Sequence, residues 1–173
     1  MHPAHILSVA LLSGVLAAIP AAGAEIRSRQ ASLVYDRPEQ LRQFNSRVRL
    51  SGGFFSFGSG SGQIDRDVSN KLDRFASLVQ TILDMRPDNF RYRVVLLDSA
   101  EDVDRVYQQQ YGMKRDFIAF FSPKTDTIYI STADVDRNVF AHELAHAVIH
   151  HYFHRAPPTK IHELLAQYVE SQI

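Results

Sequence analysis

Apolar residues along this chain alternate between short runs and helical stripes, and the spacing predicts most of its elements. Ala31 to Asp36 holds the run Leu33-Val34-Tyr35, which reads as a short strand. Pro38 can open a brief helical turn through Phe44, and Val48 and Leu50 alternate with Arg47 and Arg49 as in a half-buried strand. From Val68 to Met85, Leu72, Phe75, Leu78, Val79, Ile82 and Leu83 recur at steps of three and four, giving one stripe on a helix that Pro87 and Asp88 end. Tyr92 to Leu97, continuously apolar at Val94-Val95-Leu96-Leu97, predicts a central strand. Ser99 can cap a helix running to about Tyr111, with Asp102 three residues on and Gly112 at its end. Phe117 to Phe121 and Thr127 to Ser131 form an expected hairpin about the turn Pro123-Lys124-Thr125-Asp126. Two helices close the chain. The first is expected to be capped by Asp134 and is broken after its end by Pro157-Pro158; the second runs from Lys160 to about Ser171.

Two segments stand outside this pattern. Ile6 to Ile19 is apolar apart from Ser8, Ser13 and Gly14, and the small-x-small run Ala22-Gly23-Ala24 follows it. Residues 1–24 therefore read as an export signal cleaved after Ala24. The apolar stretch of 14 residues is short for a membrane span, which takes about 20. The start carries no Lys or Arg, so an uncleaved anchor is the alternative. The mature chain, 25–173, suits one domain with one core. Ser51 to Gly62 holds five of the eight glycines, interleaved with Phe54, Phe55 and Phe57. It reads as a Gly-rich hairpin or loose loop whose aromatics tuck into the core, with a flap over a substrate cleft as the sharper alternative.

Composition removes several function classes. Nineteen basic residues balance nineteen acidic ones, and no basic block appears, which argues against nucleic acid as a partner. The chain has no cysteine, so any metal site must use histidine and carboxylate.

The chemistry concentrates at His142-Glu143-Leu144-Ala145-His146, an H-E-x-x-H inside the helix-forming run Val139 to Ile149. Histidines four apart lie one turn apart on one helix face, where both can reach a single Zn2+, with Glu143 placed to hold the water that the metal activates. A catalytic zinc site takes a third protein ligand and leaves a position for water. His150 is in line with His142 and His146, and three ligands along one straight helix cannot converge on a tetrahedron. His151 and His154 sit too near the helix end to fold back, and read as solvated residues beside a helix C-terminus. Sixteen residues separate His146 from Glu163, enough for a turn at Ala156-Pro157-Pro158 and entry into a second helix packed on the first. His162 is about 100° round that helix from Glu163, so at most one of the two should bind.

At these residues the chain resembles the gluzincin metallopeptidases of the thermolysin-like clan, and within them the short peptidase-MA-like domains. Those follow H-E-x-x-H with a break and then a helix in which Glu, Ala and an aromatic recur at the spacing of Glu163, Ala166 and Tyr168 here. The likeness covers roughly Tyr92 to Ile173. It implies an α+β, zincin-like fold: a mixed β-sheet, an active-site helix carrying the H-E-x-x-H, and a following helix carrying the third ligand. It also selects Glu163 over His162, giving a zinc site of His142, His146 and Glu163 with Glu143 as the catalytic base of peptide-bond hydrolysis. Two departures stand out. Gln167 occupies the position, four after the third ligand, where thermolysin has an acidic residue orienting a metal-binding histidine; Glu170, on the same helix face, could replace it. The Tyr or His that steadies the oxyanion in relatives lies well downstream of the third ligand, leaving Tyr152, Tyr168 or a partner to supply it here. The implied protein is an exported, periplasmic or extracellular zinc peptidase acting on peptides or proteins. The alternatives are a catalytically inactive zincin-fold module that binds a partner at the cell envelope, and a metal-free structural domain.

Overall fold

A computed structural model describes residues 23–50 and 61–173. Most of the expected signal sequence and of the Gly/Phe-rich segment, at residues 1–22 and 51–60, lies outside them.

The described chain is a mixed α/β assembly of five strands and five helices. In order these are β1 (Ala24–Arg27), β2 (Ala31–Tyr35), α1 (Pro38–Arg47), α2 (Ser61–Leu83), β3 (Tyr92–Leu97), α3 (Ala100–Tyr111), β4 (Ala119–Ser122), β5 (Thr127–Ser131), α4 (Arg137–Tyr152) and α5 (Thr159–Gln172). The strands form one sheet ordered β1-β2-β3-β5-β4. β2, β3 and β5 run parallel, while β1 and β4 pair antiparallel at the two edges. Ala24, the last residue of the expected signal, already pairs with Tyr35 in β1.

Successive strand residues face opposite sides of a sheet. On β4, Phe121 meets the His150 ring of α4 at 5.5 Å, whereas Phe120 meets Tyr107 of α3 at 5.1 Å. α3 and α4 therefore cover opposite faces. The α3 side is closed by a small aromatic cluster of Tyr107, Tyr111, Phe117, Phe120 and Tyr129. The main core lies on the other side, where Leu33, Val94, Leu96, Ile128 and Ile130 from the sheet meet Leu72, Phe75 and Val79 of α2 and the apolar flanks of α4.

α4 is buried along most of its length, with Phe140, Ala141, Leu144, Ala145, Ala147, Val148 and Ile149 fully enclosed. Phe140 anchors it: its ring packs edge-on against Phe44 of α1 at 5.3 Å and against Phe75 of α2 at 5.0 Å. Such perpendicular pairs add roughly 0.5–1.5 kcal/mol each beyond area burial.

Four local expectations are corrected. Val48 and Leu50 form no strand; α1 continues to Arg47, and Val48 is buried at its C-terminal cap, so the alternation marked a helix end turning into the core. The first helical turn at Pro38 is thus a helix of ten residues. The cap of α4 is Asp136, whose side chain accepts from Val139 N–H at 2.9 Å, while Asp134 accepts instead from the Ser131 hydroxyl. α2 starts at Ser61, seven residues ahead of the apolar stripe that announced it.

Candidate metal centre

The site is built where α4 meets α5. The turn between them spans residues 153–158: Phe153 N–H still donates to Ile149, and the first turn of α5 closes on the Pro158 carbonyl through Ile161 and His162 N–H. α5 packs chiefly on α4, burying Ala166 and Val169.

Three donor groups converge at this junction. His142 Nε2 and His146 Nε2 are 3.2 Å apart, and the Glu163 carboxylate lies 3.6 Å from the first and 3.5 Å from the second. Glu163 makes these contacts through different oxygens, Oε2 to His142 and Oε1 to His146, and with one donor atom from each residue the three groups form a small triangle within 4.8 Å. Tetrahedral ligands at the bond lengths zinc prefers, about 2.0–2.2 Å, lie about 3.3–3.6 Å from one another. Two imidazoles and a carboxylate so spaced could hold one divalent ion; among the described residues no other group of three or more His, Cys, Asp or Glu is so arranged.

α5 also holds the far side of both imidazoles. Glu170 Oε2 stands 3.3 Å from His142 Nδ1, and His162 Nδ1 stands 2.9 Å from His146 Nδ1. The Glu170 contact is where the sequence placed it: seven residues after Glu163 is only about 20° short of two full turns. The His162 contact was not foreseen. His162 was weighed as a rival ligand, but it meets His146 on the nitrogen facing away from the triangle. The signal was available in the dipeptide His162-Glu163, since residues 100° apart on one helix can grip two sides of the same partner.

Glu143 lies beside the triangle, on the flank of α4 facing the sheet edge. One of its oxygens, Oε2, accepts from the Phe121 backbone N–H of β4 at 2.7 Å. Burial raises its carboxyl from the usual carboxylate range to about 7, aided by the nearby Glu163 charge and opposed by the Phe121 hydrogen bond. His146 moves the other way: burial first, then His142 and His162, lower it to about 3, so it is neutral at pH 7 with a lone pair to offer.

The Glu143 shift predicts a pH effect on the metal-free protein. A carboxyl whose folded-state pKa is raised binds its proton more tightly when folded, so its contribution is present below about 4.5 and is lost as pH rises to about 7. At 1.36 kcal/mol per pH unit between 4.5 and about 7, the loss is about 3 kcal/mol. Glu143→Gln does not titrate, so the melting temperature of apo wild type should fall relative to apo Glu143→Gln between pH 4.5 and 7 and stay parallel above it. A constant gap across that range would contradict the burial.

The remaining candidates do not join the cluster. His150 packs against Phe121; His151 is not merely solvated but pairs through Nε2 with Asp126 at 2.8 Å, its ring edge-on to Phe90; His154 is exposed. Tyr168 is about 140° round α5 from Glu163 and half exposed. Tyr152 lies six residues past His146, about 9 Å along the helix, and packs on Phe153. Neither tyrosine faces the triangle.

Comparison with known proteins gave no match: no family model fits this sequence, and no curated protein or solved structure is significantly similar to it.

Proposed function

We propose that the protein is an exported zinc-dependent peptidase of gluzincin type, with His142, His146 and Glu163 holding the ion and Glu143 serving as general base. The observation that carries this reading is the convergence of three donors from two helices beside a carboxyl tuned near neutrality. A zinc ion bound there supplies a Lewis acid that polarises a scissile carbonyl and acidifies water.

The rest is the work of the chain. Glu170 fixes His142 by accepting from its Nδ1–H, which leaves the Nε2 lone pair facing Glu163. Phe121 N–H holds one oxygen of Glu143, and the other is free to take a proton from the attacking water and deliver it to the leaving nitrogen. β4 is an edge strand adjoining Glu143, so an extended peptide can lie along it by strand addition. No helix among the described residues is long and apolar enough to cross a membrane.

The test is metal content joined to turnover. Purified, untagged protein should carry one zinc per chain by elemental analysis and should cleave peptides. A chelator should abolish cleavage, and added zinc should restore it. Cleavage indifferent to the chelator, or a protein that takes up no zinc, would sink the proposal.

A second reading is favoured by the outward placement of Tyr152 and Tyr168: a zincin-like module that keeps the metal and binds a partner at the cell envelope without hydrolysing it. Zinc bound at one per chain with no cleavage across broad peptide libraries would select it.

A further inference from the structure

Each imidazole of the triangle has a partner on its Nδ1, but the two partners differ in kind. Glu170 is a carboxylate that, when ionised, can only accept, and so it dictates the proton position on His142. His162 can donate or accept, and its 2.9 Å contact with His146 leaves the direction open. If His162 donated, the proton of neutral His146 would sit on Nε2, inside the triangle, and block it as a ligand. Only the reverse arrangement presents a lone pair to an ion: His146 Nδ1–H donating to an unprotonated His162 Nδ1.

We infer that His162 is a positioning residue whose acceptor nitrogen sets the tautomer and ring orientation of His146, making it a competent metal ligand; the inference rests on the metal-site reading above. Geometry supports the assignment. The two rings are nearly parallel, 23° apart with centroids at 5.1 Å, and meet nitrogen to nitrogen. His162 is the residue immediately before Glu163, so one turn of α5 fixes a ligand and the orientation of its neighbour together. Partners of this kind typically change metal affinity 10–100-fold when lost.

Asn places an acceptor oxygen near the position of a histidine Nδ1, whereas Leu offers none. Zinc affinity, read by competition against a chromophoric chelator, should therefore fall 10–100-fold in His162→Leu and stay within about threefold of wild type in His162→Asn. Cobalt-loaded His162→Leu should show a shifted visible ligand-field spectrum, and cobalt-loaded His162→Asn the wild-type one. His162 is half-buried on a helix that packs through Ala166 and Val169, so apo His162→Leu should keep the helical circular dichroism of wild type. Wild-type zinc affinity and cobalt spectrum in His162→Leu would overturn the role of His162 while leaving the metal site standing. Equal loss in Leu and Asn would also overturn it, because the acceptor would not be what matters. A wild-type protein that binds no zinc would reject both the site and this inference.

Discussion

Glu143→Gln should lower peptide turnover by roughly 10²–10⁴-fold, the range that positioned acid–base groups contribute. Gln keeps the size of Glu and an oxygen that can accept from Phe121 N–H, so the contact between α4 and β4 survives. What it lacks is the capacity to take a proton. The loss should therefore fall on kcat, with KM nearly unchanged, and zinc content should match wild type because residue 143 is not among the three converging donors. The acid limb of the wild-type kcat/KM profile should reflect Glu143, with activity rising as pH passes its pKa and the base becomes available. Bound zinc places positive charge nearby and should bring that limb below the value of about 7 that holds without the ion. Turnover by Glu143→Gln within a few-fold of wild type would remove Glu143 from the mechanism, whatever the metal content.

Phe140→Ala should be among the most destabilising single changes in the chain, at about 3–5 kcal/mol. Phe140 is fully buried where α4 crosses α1 and α2, in edge-on contact with two further phenylalanines. Truncation opens a cavity that these rigid neighbours cannot close, because both rings are held by their own helices. For a domain of this length the melting temperature should drop roughly 6–20 °C, at 2–4 °C per kcal/mol. The consequence reaches the site, since Phe140 precedes His142 by half a turn and fixes the depth at which α4 sits. Folded Phe140→Ala should also bind zinc more weakly, measurable by the same chelator competition. A melting temperature within 2 °C of wild type would mean that this aromatic contact contributes little to holding α4.

Legibility in the sequence followed the strength of periodic and spacing signals. Helix α2, strand β3 and the β4–β5 hairpin were readable because their apolar residues are dense and regular. The spacing and a turn at two prolines bring the pair His162-Glu163 to the histidines, and the family resemblance singles out Glu163, which lies 3.5–3.6 Å from both. β1 was missed: with Glu25 and Arg27 flanking a single buried Ile26 it carries almost no apolar signal, and it exists by pairing with β2. Val48 misled because burial at a helix C-terminus looks, over three residues, like alternation in a strand. Asp136 and Asp134 both precede α4 by cap-like distances, and only the path of the loop after β5 decides between them. The contact of His162 with His146 was missed because counting candidate ligands asks which side chains reach a common point, not which reach the far side of those that do.

Ala166 lies between Glu163 and Glu170 on the buried side of α5, with no exposed surface at all. Its small, fully enclosed side chain leaves no room for a larger one where α5 packs. Glu163, His162 and Glu170 all ride on that one rod, so a bulkier side chain at this contact would lift them as a unit. A small outward displacement of α5 would weaken every contact with the histidines together rather than one at a time.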